Sequence, residues 1–238
     1  MKLFINIILL LIIVMCTWRG YKKGFVSGII GILIIVVAVY GGSLLSSKYS
    51  KEIIPVLDPF VDGYVDSQKT RDDALASMGY ADTDLSLDDV LAQDSSLRYD
   101  YAYECMSGLG FTDGLSEELA AKAVDKAETT GIHMKDAVVK VLCETVSYVG
   151  GLLLAFLLIL ILLVTITSIG NITFKFPKMP MLDYAGGAVL GFAKGFLYCV
   201  LLCWLLSFAG IVIGADTLEN SFMARIFLSF DFITRNLL

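Results

Sequence analysis

Side chains able to do acid–base, nucleophilic or metal chemistry are few in this 238-residue chain, and they are scattered. His133 is the single histidine, so one copy of the chain holds no His-pair metal site and no Ser-His-Asp triad. Its place just ahead of a helix start at Met134 predicts a solvated loop residue. Cys199 and Cys203 are four apart on one helix face, a spacing that suits thiolate ligands. No further ligand is close in sequence, and packing is the expected role. Cys105 lies in a polar stretch, Cys143 at the edge of an apolar run and Cys16 inside another, which is no disulfide framework. Glu144 and Asp183 fall at the ends of apolar runs, where carboxylates are solvated or cap helices more often than they relay protons. No catalytic, cofactor-binding or metal-binding constellation emerges, and a non-enzymatic role is expected.

Glycine and lysine spacing is more informative. The cluster Gly20-Tyr21-Lys22-Lys23-Gly24-Phe25 returns as Gly191-Phe192-Ala193-Lys194-Gly195-Phe196, each time at the start of an uncharged apolar run. Gly20, Gly24 and Gly28 are spaced by four, as are Gly187, Gly191 and Gly195. Such ladders bare one helix face and let two backbones approach closely in lipid, where packing rather than the hydrophobic effect drives association. Aligning the clusters makes Gly24 equivalent to Gly195 and Gly28 to Cys199. The glycine faces of the second and fourth apolar runs are therefore expected to meet in one seam. Lys194 is expected to snorkel its ammonium to the headgroups.

The composition belongs to a membrane protein. The chain is 57% hydrophobic with a mean hydropathy of +0.76, and 18% of its residues are charged, below the roughly 25% of soluble domains. Residues 46–140 hold 19 of the 24 acidic and 9 of the 18 basic residues, a net charge of −10 in a chain of −6. The acidic balance argues against nucleic acid as a partner. A spanning helix needs about 20 mainly apolar residues, and four runs approach or exceed this: 3–18, 25–45, 145–168 and 188–213. The first could be a signal peptide, but no small-x-small cleavage site follows it, and Arg19, Lys22 and Lys23 lead straight into the second run. The fold expected is all-α and polytopic, with four transmembrane helices and, on one reading, a 2+2 parallel repeat. Its parts are a first hairpin (1–45), an acidic extracytoplasmic insertion (46–140), a second hairpin (141–215) and an amphipathic C-terminal tail (216–238).

Lysine and arginine favour the cytoplasmic side when they lie in short loops. Arg19, Lys22 and Lys23 in the first hairpin loop and Lys175 and Lys178 in the second fall on one side if all four runs cross. Residues 46–140 then lie outside. Within them Ser86 reads as a helix N-cap, a second helix starts at Ser116 and stops at Gly131, and a third begins near Met134 and continues into the third span. Residues 62–73 and 79–84 read as linkers, and the segment has few large apolar residues for a core of its own. In the tail, Phe222, Ile226, Phe230, Ile233 and Leu237 form a stripe opposite Arg225, Ser229 and Asn236, suited to lying in the outer interface.

The residues 19–25, read Arg-Gly-Tyr-Lys-Lys-Gly-Phe behind a short first span, resemble the N-terminal signature of the colicin V production (CvpA) family of bacterial inner-membrane proteins. The pattern Asp183-x3-Gly187-x3-Gly191-x2-Lys194-Gly195 is similar to that family's second signature, and a short C-terminal segment with Ser221 and aromatics also fits. The chain departs from the family in the length of 46–140 and in Tyr184, at a position often filled by arginine. The resemblance implies a role in toxin (colicin V) production or export and in envelope maintenance, in the bacterial cytoplasmic membrane, and it supplies no catalytic residues. On it Arg19, Gly20, Lys23, Gly24, Gly28, Asp183, Gly187, Gly191, Lys194 and Gly195 are the motif and helix-packing residues. A membrane scaffold or accessory factor is the leading expectation, with the bilayer and either further copies of the chain or other membrane proteins as partners. The alternative is a small oligomeric channel or transporter, although no intramembrane carboxylate or interrupted helix marks a substrate path.

Overall fold

The computed structural model describes residues 2–80, 87–169, 180–208 and 221–229, and among these every regular element is a helix. In chain order they are α1 (Lys2–Lys23), α2 (Phe25–Val65), α3 (Gln68–Ser77), α4 (Leu87–Gln93), α5 (Leu97–Gly108), α6 (Asp113–Thr130), α7 (Met134–Ile169), α8 (Pro180–Ser207) and α9 (Phe222–Ser229). Four of them, α1, α2, α7 and α8, are long and apolar enough to cross a membrane. Their outer surfaces suit a lipid solvent. Leu154, Leu158 and Leu162 follow one another at every fourth residue of α7 and are 64%, 69% and 59% exposed. A ridge of bare leucine suits lipid and would be an aggregation hazard in water.

The described residues divide into two compact units, and the long helices α2 and α7 contribute to both. The first unit holds α1, α2 as far as Lys48, α7 from Val149, α8 to Leu206, and α9. Its turn is shorter than the sequence suggests. The residues expected as the first hairpin loop are helical through Lys23, and Gly24 alone separates α1 from α2. Gly24 has φ +84°, which ends the helix, a conformation glycine adopts without steric cost. Its N–H still donates to Gly20 O and its carbonyl still accepts from Gly28 N, so each helix keeps its terminal bond. Further along, α2 runs antiparallel to α7. Gly42 lies against the backbone of Phe156, and Gly151 against the Ser46 hydroxyl.

The described part of the tail, α9, packs on α1 and α8. Asn6 Oδ1 accepts hydrogen bonds from the Ser221 hydroxyl (2.7 Å) and from Met223 N (3.2 Å), capping α9 from another helix. Phe227 meets Phe196 edge-on at 5.2 Å. The buried face is therefore Ala224 and Phe227, while Phe222 and Ile226 point outward. Anchoring by Asn6 and Phe196 sets this rotation, which helical spacing alone does not fix. Phe230, Ile233, Asn236 and Leu237 lie outside the described residues, as do Ser86, Lys175 and Lys178.

The second unit comprises Tyr49–Tyr148 with the end of α8, and it has a core that its composition does not suggest. Tyr101, Met106 and Leu119 are fully buried together with Val65 from α2 and Val138 and Leu142 from α7. The missing apolar surface comes from spanning helices that continue past their uncharged runs. Residues expected as a linker at 62–73 are instead the end of α2 and most of α3, capped by Ser67 Oγ on Thr70 N. Pro55 and Pro59 lie inside α2. α6 begins three residues before Ser116, behind Thr112, and ends at Gly131 in the left-handed region. Lys122 pairs with Glu118 at 2.9 Å, Lys126 with Glu144, and Lys135 with both Asp62 and Asp66 at 3.2 Å. His133 is exposed at the start of α7, where its carbonyl accepts from Ala137 N. Cys105 is fully buried, and desolvation pushes its thiol up to about 12, which leaves it unreactive at neutral pH.

Candidate functional site

The signature residues converge where α1, α2 and α8 meet. A Cβ added at Gly20 would lie 2.3 Å from Gly187 O, and one at Gly187 would lie 2.4 Å from Gly20 O. A Cβ at Gly191 would lie 2.5 Å from Cys16 O, and one at Gly195 would lie 3.0 Å from both the Ile13 Cα and the Cys16 Cβ. Higher up, Cys199 Sγ donates to Leu9 O at 3.5 Å. Numbers rise along α8 as they fall along α1, so the two helices are antiparallel with backbones in contact over about three turns. This is the seam that a ladder of small residues permits.

The partner in that seam differs from the expected one. The glycine ladder of α8 faces α1, not the second span. α2 reaches α8 in parallel, but through side chains: Gly28 abuts Leu190 and Gly31 abuts Lys194. Gly28 is therefore not opposite Cys199, which faces α1. The two Lys-Gly-Phe clusters are also used differently. Gly24 sits at a helix break, whereas Gly195 lies inside the continuous α8. Local likeness carries no information on which helix lies opposite.

Asp183 joins the three helices. It is 5% exposed, and its Oδ1 accepts from Phe25 N at 2.8 Å, so a carboxylate on α8 caps the N-terminus of α2. This replaces a local N-cap and places negative charge at the positive end of the helix dipole. A Cβ at Gly24 would come within 2.5 Å of the same carboxylate. Only glycine allows both the left-handed turn and this approach. Tyr184, next to Asp183, lies 5.2 Å ring to ring from Tyr21.

Beside this junction a cavity of ≈ 500 Å³ opens between α1, α2, α7 and α8, and Arg19, Lys23 and Lys194 all line it. Lys194 does not extend along its own helix toward the α8 start. Its Nζ lies 2.9 Å from where a Gly31 Cβ would be, and 5.6 Å from the centre of the Tyr198 ring. Gly31 is seven residues into α2 past Gly24, about 10 Å along the axis. Gly31, Ser27 and Tyr198 are cavity residues that the sequence reading missed. Gly31 was findable, since 24, 28 and 31 follow the four-then-three spacing of one helix face. Among the described residues no group of three or more His, Cys, Asp or Glu side chains could hold a metal ion.

Residues 108–231 match the family described as Colicin V production protein. The chain belongs to that family. The match covers the signature cluster at 183–195 and all of α8 and α9, while the cluster at 19–25 lies before it. No curated protein and no solved structure matches the chain. Family membership and four membrane-length apolar helices together make this a multi-pass membrane protein. The ladder that belongs to the matched stretch packs against a helix outside it, so the structure ties the two signatures into one unit.

The α1–α8 register has a direct chemical check. Gly195→Cys, in a chain whose only other cysteine is Cys16, places two Cβ atoms 3.0 Å apart, so that a separation of about half an ångström brings them into the roughly 3.5–4.5 Å range of a disulfide. Mild oxidation should link them within one chain, seen as a mobility shift reversed by reductant. The pair Gly28→Cys with Cys199 should stay unlinked. The reverse pattern would restore the seam between α2 and α8.

Proposed function

We propose that this member of the Colicin V production family is a non-enzymatic accessory or scaffold protein of the bacterial cytoplasmic membrane. Its role in this reading is to support production and export of a peptide toxin of the colicin V kind and to maintain the envelope. The observation that carries the proposal is the match over 108–231, which includes the α8 signature residues that join α8 to α1 and α2. Backbone contact along α1 and α8 and the Asp183 cap suit a fixed platform. Its partners are the bilayer and other membrane proteins or further copies of the chain. The basic residues around Arg19–Lys23 and those between the last two spans face the cytoplasm and residues 46–140 face outward, as the distribution of lysine and arginine favours.

The test is complementation in a colicin V-producing bacterium lacking its own family member. Expression of this chain should restore toxin release, and the Asp183→Ala chain should restore it poorly at equal membrane levels. In the same cells a thiol at the exposed Ser95 should react with impermeant reagent, and one at Tyr21 should not. Unchanged toxin release with and without the chain would sink the proposed role. A second reading, a small channel or transporter, is favoured by the cation-lined cavity. It requires ion or solute flux in liposomes holding the purified protein alone.

A further inference from the structure

The cavity beside the junction has a charge imbalance that the packing does not resolve. Arg19, Lys23 and Lys194 line it, and among the described residues none of the three forms an ion pair. Asp183 is the one carboxylate among the described residues of this unit. It does not line the cavity, and its Oδ1 is taken by the Phe25 N–H. Three cations around one space repel each other, and an anion bound among them would relieve that repulsion.

The chemistry of the lining says which anion fits. Arg19 presents a planar fork that pairs with two phosphate oxygens, and the lysines act as point charges. Ser27 adds a hydroxyl with no partner among the described residues. The Thr167 hydroxyl, by contrast, already donates back to its own helix, to Leu163 O or Val164 O. The wall also carries aliphatic side chains, Ile30, Ile34 and Val164, beside Cys16, Ser168 and Tyr198. Cations at one part and aliphatic side chains at another match an amphiphile better than a free ion. Basic pockets between spanning helices are suited to lipid headgroups for this reason. A volume of ≈ 500 Å³ accommodates a phosphoglycerol headgroup. Gly31 is part of the device, because a side chain there would occupy the place of the Lys194 ammonium.

We propose that this cavity binds the phosphoryl group of an anionic phospholipid, held by Arg19 and Lys194 with Lys23 supporting the charge. The inference stands on the cavity and does not depend on a role in toxin export.

The experiment uses the full chain in neutral detergent micelles, with binding read by native mass spectrometry and by the shift in melting temperature. The probes are short-chain phosphatidylglycerol, short-chain phosphatidylcholine and inorganic phosphate. Phosphatidylglycerol should bind saturably and stabilise the protein, and phosphatidylcholine should bind far more weakly because its choline cation meets the lysines. Lys194→Gln and Arg19→Gln should each weaken phosphatidylglycerol roughly tenfold or more, the scale of one lost charge-assisted contact. Lys22→Gln, a neighbouring cation turned instead toward the Trp18 ring, should change it by less than about twofold. If inorganic phosphate displaces the lipid and gives the same Lys194-dependent shift, the phosphoryl site holds and its source is solution. Equal binding of phosphatidylcholine, or equal losses from Lys22→Gln and Lys194→Gln, would overturn the assignment. Arg19 is exposed, so its variant carries the test if Lys194→Gln does not fold.

Discussion

Gly191→Leu is expected to separate α1 from α8 and to lower the stability of the first unit by about 3 kcal/mol or more. Overpacking costs typically about 1–3 kcal/mol where neighbouring side chains can rotate away. Here they cannot, because the nearest atoms are backbone: Cys16 O at 2.5 Å and the Cα atoms of Gly20 and Thr17 at 3.0 Å. An opposing term exists, since replacing glycine inside a helix gains about 1 kcal/mol of helix propensity. Gly150, in α7, isolates that term. A Cβ there meets nothing within 4 Å, so Gly150→Leu should be neutral or slightly stabilising. The comparison is made by unfolding purified protein in mixed micelles with increasing denaturing detergent, following tryptophan fluorescence. Equal midpoints for the two variants would mean that α1 and α8 are not in backbone contact.

The second large effect is expected at the cap. Asp183→Ala removes the acceptor from Phe25 N and leaves a helix N-terminus without its counter-charge. Losing a cap costs about 0.5–2 kcal/mol and a hydrogen bond to a charged group about 1.5–3 kcal/mol, so a loss of about 2 kcal/mol is expected. Asp183→Asn keeps an acceptor oxygen and should lose less than half as much. Gly24→Ala should be costly for two reasons. Its φ of +84° is unfavourable for any L-residue, by about 1–2 kcal/mol, and the new methyl carbon would lie 2.5 Å from the Asp183 carboxylate. The second reason vanishes when the carboxylate is gone. The double variant Gly24→Ala/Asp183→Ala should therefore be more stable than the sum of the single losses predicts, by about 1 kcal/mol or more. Strict additivity, measured by the same unfolding assay, would show that the carboxylate and Gly24 are not in contact.

The amino-acid sequence by itself determined the class of this protein. Long uncharged runs such as 152–164 can hide their backbone polar groups in lipid only as helices, so the spans followed from composition and length alone. The sequence also marked the signature residues, because glycine at every fourth position and a lysine inside an apolar run are rare enough to be read without a partner in view. The helix stop at Gly131 was legible for the same reason: its cause lies within a few residues. Tertiary structure decided everything that depends on what lies opposite. Which helix the α8 ladder faces, whether Asp183 meets water or the Phe25 N–H, and where the Lys194 ammonium comes to rest are set by contacts across more than 150 residues of chain. The core around Tyr101 and Leu119 was hidden likewise, since Val65 and Leu142 arrive from the two long spanning helices. Local spacing fixes which face of a helix is bare or apolar, and only the packed neighbours fix what that face touches.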